Sequence, residues 1–200
     1  MLSFSLILVD LLGAYLMGSV CSAVIVAKLF HLPDPRTEGS QNPGATNMLR
    51  LAGKKYAAIV LLTDVLKGTL PLVFAHLLNT PATLLGFTCL FAVLGHVYPI
   101  FFNYKGGKGV ATALGALLGF YPLLGISVIF TWLLVAWRSR YSSLASIIAI
   151  GLAPLYAIFS AANRPACIPL CLMTALILYQ HINNISRLLD GTETKINLKS

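Results

Sequence analysis

Residues 105–140 read KGGKGVATALGALLGFYPLLGISVIFTWLLVAWRSR, a stretch whose charges all lie at its two ends. As one helix, residues 109–138 would be about 45 Å long at 1.5 Å per residue, whereas a hydrocarbon core is about 30 Å thick. Phe120-Tyr121-Pro122 lies near the middle and could form a tight turn or a kink. We predict the turn, and with it two helices, 109–120 and 122–138.

The rest of the chain has the composition of a membrane protein. Of its 200 residues, 58% are hydrophobic and 10% charged, and the mean hydropathy is +0.84, whereas soluble domains carry about 25% charged residues. Apolar runs broken by Gly, Pro, Asn or charge predict an all-α integral membrane protein, a single domain of residues 1–200 with seven transmembrane helices. The predicted spans are 4–27, 55–78, 82–102, 109–120, 122–138, 142–161 and 166–186.

The cations provide an independent test of this count. The net charge of +8 comes from 14 Lys and Arg against 6 Asp and Glu. With seven spans, only Arg164 lies opposite the other loop cations, and Lys67 lies within a span. The positive-inside rule then predicts a periplasmic N-terminus and a cytoplasmic C-terminus, whereas six spans would scatter the later cations over both sides. The cations on the cytoplasmic side are Lys28, Arg36, Arg50, Lys54, Lys55, Lys105, Lys108, Arg138, Arg140, Arg187, Lys195 and Lys199.

Neither the N-terminus nor the cysteines indicate a cleaved signal peptide, a disulfide framework or a metal site. The first cation is Lys28 and no small-residue cleavage site follows the first apolar run, so we expect that segment to remain as a membrane helix. The cysteines lie in apolar stretches without a CxxC pair or zinc spacing, as is usual for buried free thiols. We predict no disulfide framework, metal site or cofactor. The cysteines are Cys21, Cys89, Cys167 and Cys171.

The longest polar stretch, residues 31–50, follows the first span. Its Gly, Asn, Ser and Thr residues suit a backbone that offers amides and hydroxyls to an anion, and Arg50 can donate two parallel hydrogen bonds. The alternative is a solvated connection. Loops between membrane helices are often short and do not need so many donors.

A glycine-rich stretch, residues 103–112, lies between the third and fourth spans. Its glycines let the main chain approach a ligand, and the amides that open a helix attract negative charge. The stretch resembles a phosphate cradle but is not a Walker P-loop, because Gly109 follows Lys108 where Ser or Thr is needed. We therefore expect phosphate binding without NTPase activity.

Two further polar groups lie on the predicted cytoplasmic side. Ser143 and Ser146 share one face at the start of the sixth span, where packing or back-bonding to the helix competes with a functional role. His181, Asn184 and Arg187 recur at intervals of three, and we expect them to form a polar stripe at the cytoplasmic mouth of the bundle.

The interior holds few polar residues. Asp64 and Lys67 are three apart in the second span, where an unpaired charge is costly, so they form a structural ion pair or support a site. His96 precedes the glycine-rich stretch, and we expect it to shape that turn rather than react. Gly115 and Gly119 form a GxxxG pattern typical of close helix packing.

The motifs that are missing also restrict the chemistry. The HxxxxD pair of many membrane acyltransferases is absent, as are GxSxG and HExxH. Cations, amides, hydroxyls and one histidine suit the positioning of anions and a substrate that arrives already activated.

Six motifs in this order resemble the PlsY-type acyl-phosphate:glycerol-3-phosphate acyltransferases over nearly the whole chain. The departures are Gln41, where a glycine is usual, and Cys21, where proline is frequent, and neither removes a charged group. The motifs are Gly18-Ser19, Gly39-Ser40-Gln41-Asn42-Pro43-Gly44-Ala45-Thr46-Asn47, Asp64-Val65-Leu66-Lys67-Gly68, Gly95-His96-Val97-Tyr98-Pro99, Lys105-Gly106-Gly107-Lys108-Gly109-Val110-Ala111-Thr112, and the tail from His181 to Lys195.

The resemblance implies a bacterial inner-membrane enzyme with its active site at the cytoplasmic face. It would move a fatty acyl group from acyl phosphate to the 1-hydroxyl of glycerol 3-phosphate, giving lysophosphatidic acid and phosphate. It also implies a contact with the soluble enzyme that makes acyl phosphate, and no nucleic-acid partner. By matching positions, the catalytic residues that hold glycerol 3-phosphate would be Ser40, Arg50, Lys108, His181 and Asn184. The residues that hold the acyl-phosphate head group or the oxyanion would be Asn42, Thr46, Gly106, Gly107, Ser143 and Ser146.

For the mechanism, our hypothesis is that the donor's own phosphate oxygen accepts the hydroxyl proton, with His181 as the competing base. Two other classes of function compete with the enzyme: a small multi-pass transporter of a phosphorylated metabolite, and a membrane scaffold for a soluble partner. Against the transporter, the polar groups cluster at one face and no internal repeat is visible. Against the scaffold, the glycine and hydroxyl density would serve no purpose.

Overall fold

The computed structural model describes residues 3–159 and 164–196, which form a bundle of ten α-helices and two single-turn 3-10 helices. Residues 160 and 161 of the predicted sixth span and Lys199 lie outside the described residues. The α-helices are α1 (Phe4–Gly18), α2 (Ser22–Leu29), α3 (Ala45–Ala52), α4 (Lys54–Leu77), α5 (Ala82–Val97), α6 (Val110–Phe120), α7 (Pro122–Ser139), α8 (Ser142–Ile158), α9 (Cys167–Gln180) and α10 (Ile182–Leu189). The 3-10 helices are Ile100–Phe102 and Arg164–Ala166.

Tyr121 separates α6 from α7 and confirms the predicted turn. Its backbone is extended, with φ −153° and ψ 107°, and α7 begins directly at Pro122. A proline suits that position because its φ is already helical and it lacks an amide hydrogen that the first turn could not satisfy. A Cβ on Gly125 would lie 2.6 Å from the Leu118 Cα, so a glycine is needed where the two helices pack.

The first predicted span, 4–27, is not one straight helix. It breaks after Gly18 into α1 and α2, which meet at 41°. A Cβ on Gly18 would lie 2.1 Å from the Ala92 carbonyl oxygen, so α5 packs directly on the chain at the break. The break also frees the Val20 carbonyl, which accepts a hydrogen bond from Lys67 Nζ at 2.7 Å. A long-range contact thus replaces the helical hydrogen bond that continuity would have required.

The last predicted span, 166–186, is also interrupted. Helices α9 and α10 meet at 58° at His181, whose backbone has left the helical region. The His181 side chain takes part in the break, because its Nδ1 donates to the Ile177 carbonyl at 2.8 Å. The predicted polar stripe therefore begins at a bend and continues on a separate short helix.

A short helix, α3, lies at the end of the polar stretch after α2. It begins after Gly44, whose extended backbone precedes the first turn. Met48 on its inner face is fully buried and packs in a cluster with Ala23 of α2 and Val60 of α4. This contact fixes the far end of the polar loop against the bundle.

Within the described part of the chain, three helices are long and apolar enough to cross a membrane by themselves: α4, the segment Ala82–Phe102 and α7. The count rises to five if the bent pairs α1–α2 and α9–α10 are each one span, and α6 and α8 are shorter apolar helices. The protein is all-helical, and its apolar surface fits a membrane: Phe130 and Trp137 on α7 are 64% and 76% exposed.

Glycines allow α6 to pack tightly against α4. A Cβ on Gly115 would lie 2.0 Å from the Val65 carbonyl oxygen, and one on Gly119 would lie 2.8 Å from the Leu72 Cβ. The predicted packing role of the GxxxG pattern is confirmed. On the α4 side, a Cβ on Gly68 would lie 2.1 Å from the Thr112 carbonyl oxygen, so the start of α6 is held as closely as its middle.

Gly115→Ala should lower the thermal unfolding midpoint in detergent, because the added methyl group meets backbone atoms that cannot rotate away. Overpacking of this kind costs about 1–3 kcal/mol. Gly151→Ala is the matched control, because Gly151 lies inside α8 and a Cβ added to it would have no neighbouring atom within 4 Å. That change should leave the midpoint unchanged or raise it. Equal midpoints for both variants would contradict the packing role.

The loops at the two ends of the bundle form separate groups. At one end the α7–α8 turn, the glycine-rich stretch, the polar loop before α4 and the C-terminal segment come together, for example through Ser143 Oγ and Glu193 Oε1 at 2.8 Å. At the other end α4 and α6 meet through His76 Nε2 and the Phe120 carbonyl at 3.0 Å. The first end carries Arg50 and Lys108.

Candidate functional site

A cavity of about 800 Å³ opens at the end of the bundle where the polar loops meet. Its mouth is polar, and the part that runs between α4, α6 and α7 is an apolar groove. The mouth is lined by side chains that carry charge or hydrogen-bonding groups, among them Ser40, Arg50, Lys108, His181, Asn184, Arg187 and Glu193. The apolar groove is lined by partly exposed side chains of α4, α6 and α7, namely Leu61, Val65, Leu114, Leu118, Ile129 and Leu133.

The structure brings most of the predicted site residues to this one cavity. Those that line it are Ser40, Asn42, Thr46, Arg50, Lys108, Ser143, Ser146, His181 and Asn184. Gly106 and Gly107 do not line it. The Gly107 amide donates to the His96 carbonyl at 3.2 Å, and a Cβ on Gly106 would lie 2.0 Å from the same oxygen. These two glycines pack against the end of α5, and this amide is not free for a ligand.

Asn47 shapes the polar loop that carries Ser40. Its side chain is buried, accepts from the Ser40 amide at 2.9 Å and donates to the carbonyls of Pro35 and Glu38, each at 3.0 Å. These three hydrogen bonds fold the loop back on the start of α3. Gln41, next to Ser40, has φ +55°, in the left-handed region that favours glycine.

Arg50 lies exposed in the last turn of α3 and faces the cavity. Within residues 3–159 and 164–196 it has no hydrogen bond or ion pair, whereas Arg36 pairs with Asp34 at 2.7 Å and Arg187 with Glu193 at 2.8 Å. Its guanidinium is thus available for an anion, which it can bind through two parallel hydrogen bonds.

Lys108 is the cation set deepest in the mouth. Gly109 after it has φ +85° and directly precedes α6, so the chain turns sharply there, and the lysine side chain lines the cavity. Nζ donates to Asn184 Oδ1. Desolvation, together with the nearby positive charges of Arg187 and Arg50 and partly offset by Glu193, lowers the pKa of Lys108 to about 8.

The first turn of α6 adds backbone donors. Its first helical hydrogen bond runs from the Ala113 amide to the Gly109 carbonyl at 2.8 Å. The amides before it have no helical acceptor, and Val110 and Ala111 line the cavity. A helix N-terminus beside a lysine suits a negatively charged oxygen.

Glu193 holds the C-terminal segment across the mouth. One carboxylate oxygen accepts from Ser143 Oγ and Asn184 Nδ2, both at 2.8 Å, and the other accepts from Arg187 Nε at 2.8 Å. Burial alone would raise the pKa of Glu193, but these hydrogen bonds and the Arg187 charge outweigh it and lower the pKa. We did not predict Glu193 from the sequence as a site residue. The sequence feature that could have identified Glu193 is a carboxylate in a chain with many cations, six residues after Arg187.

The two predicted serines have different surroundings. Ser146 Oγ donates to the Ser142 carbonyl at 2.8 Å and accepts from Trp132 Nε1 at 3.0 Å, so its hydroxyl is back-bonded to the helix. Ser143 Oγ instead donates to Glu193. Thr46 Oγ1 lies 3.4 Å from Ser142 Oγ and joins the start of α3 to the start of α8.

The interior polar residues lie beneath the glycine-rich stretch. Asp64 and Lys67 form a buried ion pair at 2.8 Å, which agrees with the predicted structural ion pair. Asp64 Oδ1 also accepts from Ser22 Oγ at 2.9 Å. Asp64 and His96 both line the cavity, so this cluster also touches the site.

The chain is similar to a family of known enzymes. It matches the family model described as Glycerol-3-phosphate acyltransferase over residues 8–191. The Glycerol-3-phosphate acyltransferase of Legionella pneumophila (strain Corby) is 54% identical over 189 residues, which cover 94% of this chain and 68% of the relative. The corresponding protein of Colwellia psychrerythraea is 51% identical over 195 residues, covering 97% and 98%.

Two crystal structures of PlsY, an integral membrane glycerol 3-phosphate acyltransferase, have the same fold. The glycerol 3-phosphate form matches with a TM-score of 0.90 at 40% identity and covers 96% of each chain. The lysophosphatidic acid form matches with a TM-score of 0.88 at 39% identity and covers 96% of this chain and 95% of that one.

Proposed function

This chain belongs to the glycerol-3-phosphate acyltransferase family of integral membrane enzymes, and we propose that its acyl donor is acyl phosphate. The fatty acyl group passes to the 1-hydroxyl of glycerol 3-phosphate, and the products are lysophosphatidic acid and inorganic phosphate. The match to PlsY structures in glycerol 3-phosphate and lysophosphatidic acid forms supports both the acceptor and the product.

One observation carries the choice of donor: a single cavity joins a cationic mouth to an apolar groove. Acyl phosphate is an anionic head on an alkyl chain and matches both parts at once. The groove between α4, α6 and α7 takes the chain through Val65, Leu114 and Leu118. The mouth takes the phosphates, with charge-assisted hydrogen bonds that are about twice as strong as neutral ones.

We assign glycerol 3-phosphate to the residues around the free guanidinium. Arg50 and Lys108 bind its phosphate, and His181 and Asn184 orient the glycerol hydroxyls, with Ser40 at the edge of the loop. The donor's phosphate lies against Asn42, Thr46 and Ser143 and the first amides of α6. Ser146 acts through its hydrogen bond with Trp132, which holds that ring over the groove.

In the reaction, the glycerol hydroxyl oxygen attacks the carbonyl carbon of the donor. The new ester C–O bond forms, the C–O bond to phosphate breaks, and phosphate leaves. Acyl phosphate is a mixed anhydride with a good leaving group, so the hydroxyl proton passes to a phosphate oxygen of the donor itself. Lys108 and the α6 amides stabilise the negative charge that develops on the carbonyl oxygen.

We further propose that this single domain crosses the bacterial inner membrane seven times, the bent pairs and the two shorter apolar helices each making one crossing. The N-terminus then lies in the periplasm, and the C-terminus and active site in the cytoplasm. The cationic loops meet at one end of the bundle, which supports this orientation. The proposed binding site for glycerol 3-phosphate, a charged metabolite, lies at the same end and also supports it.

The test is an assay of purified protein with acyl phosphate and labelled glycerol 3-phosphate. We expect lysophosphatidic acid and phosphate in equal amounts, without nucleotide, coenzyme A or metal. Acyl-coenzyme A and acyl-carrier protein of the same chain length serve as comparison donors. Product formation from either of these but not from acyl phosphate would overturn the donor assignment and leave the acceptor assignment intact.

A further inference from the structure

His96 lies at the junction between the polar mouth and the apolar groove. It belongs to the last turn of α5, is 6% exposed and lines the cavity. Lys108 of the mouth and Val65 and Leu114 of the groove line the same cavity. In an acyl phosphate, the group between the charged head and the alkyl chain is the carbonyl.

The hydrogen bond on one side of the ring fixes the position of the ring proton. Nδ1 lies 3.0 Å from Thr112 Oγ1, and the Asp64 carboxylate at 3.7 Å is beyond hydrogen-bond distance. Thr112 is fully buried, and its hydroxyl has no other partner within the described chain. A buried hydroxyl needs an acceptor for its hydrogen, so Thr112 donates and Nδ1 accepts. The ring proton is therefore on Nε2.

Nε2 reaches the cavity without a protein acceptor. No hydrogen bond to Nε2 occurs in the two described ranges, where Thr80 Oγ1 is the one fully enclosed side-chain nitrogen or oxygen that lacks a partner. Nε2 is therefore not fully enclosed by the protein. A Cβ on Gly107 would lie 2.3 Å from Nε2, so Gly107 packs directly beside this N–H and no larger residue fits there.

We propose that His96 is a further catalytic residue, whose Nε2–H donates a hydrogen bond to the acyl carbonyl oxygen. The inference rests on the proposed acyl transfer. As the glycerol hydroxyl attacks, the carbonyl oxygen gains negative charge and the hydrogen bond strengthens, so the interaction favours the transition state over the bound donor. Thr112 is a positioning residue that acts through the tautomer of His96.

A pair of amide substitutions separates this role from packing. In the His96→Gln variant, the glutamine side-chain nitrogen can occupy the position of Nε2. In the His96→Asn variant, the shorter asparagine side chain places its nitrogen at the position of Nδ1. We expect His96→Gln to keep kcat within about tenfold of the wild type. His96→Asn should lose about 100-fold in kcat, as removal of one oxyanion donor does, with the KM for glycerol 3-phosphate little changed. Equal loss in both variants, or a greater loss in the glutamine variant, would overturn the proposal.

Thr112 supplies a second test that does not depend on a change at the histidine. Thr112→Val removes the hydroxyl and should lower kcat several-fold, whereas Thr112→Ser should recover most of the loss. If the asparagine variant does not fold, as judged by its unfolding midpoint in detergent, this pair decides. A valine variant with the kcat of the serine variant would contradict the tautomer assignment. Failure of the proposed function is distinguishable, because wild-type protein would then give no product from acyl phosphate.

Discussion

Replacing Lys108 with methionine should reduce kcat/KM for acyl transfer by about a thousandfold or more. Methionine keeps an unbranched side chain of similar length but removes the charge that stabilises the transition state, an effect worth about 10²–10³ for a single group. The change also removes the donor to Asn184 Oδ1 and one of the cations that binds phosphate. The initial rate at saturating and limiting acyl phosphate measures both losses.

Lys105→Met is the matched control. Lys105 belongs to the same glycine-rich stretch, is exposed and does not line the cavity. It should keep kcat/KM within about threefold, since exposed charges away from a site have small effects. If the Lys105 variant lost as much activity as the Lys108 variant, general attraction of anions to the membrane surface would explain the lysines better than a specific contact.

Because the pKa of Lys108 is lowered, the charge of this lysine should affect how kcat/KM depends on pH. Below its pKa of about 8 the side chain is charged and binds phosphate, and above that value the charge is lost. We expect kcat/KM, which reports the free enzyme, to fall as pH rises through about 8. Lys108→Arg should be slower, because a planar fork replaces a compact ammonium, but should lack this basic limb. Persistence of the limb in the arginine variant would assign it to another group.

Local sequence signals predicted the boundary between α6 and α7, because they act within one turn of the chain. Pro122 follows an apolar run that is too long for one span, and α7 begins at that residue. The breaks at Ser19 and His181 were not predictable in this way. The first depends on α5 packing against Gly18 and on Lys67 reaching the Val20 carbonyl 47 positions earlier in the chain. Such contacts exist only after the helices have assembled.

The same distinction holds for the site. That Arg50, Lys108 and His181 would lie at the same end of the bundle was predictable, because the polar stretch, the glycine-rich stretch and the end of the last span all fall on one side of the predicted membrane. Glu193 was missed because its role depends on Ser143, 50 positions away. Gly107 was predicted as a ligand cradle, whereas in the structure it packs against His96. The sequence indicates that a glycine is needed at position 107, and only the fold shows which neighbouring side chain requires the glycine.

His181→Ala should lower kcat/KM about a thousandfold. The Nδ1–H of His181 donates to the Ile177 carbonyl, so Nε2 has a free lone pair, and the buried ring lines the cavity. That lone pair can accept the glycerol hydroxyl and hold its oxygen towards the donor carbonyl. Loss of alignment costs about 100-fold, and the lost hydrogen bond weakens substrate binding further.

His181→Gln then separates orientation from proton transfer. A glutamine oxygen can accept the hydroxyl hydrogen bond, but it cannot take the proton at neutral pH. If the donor's phosphate is the base, His181→Gln should retain at least about tenfold more activity than His181→Ala, and its acidic pH limb should match the wild type, because that limb belongs to the substrate phosphates. If His181 is the base, the glutamine variant should be as slow as the alanine variant, since general-base help is worth about 10²–10⁴. The acidic limb of the wild type would then be absent from the glutamine variant, and proton transfer to the donor's phosphate would be wrong.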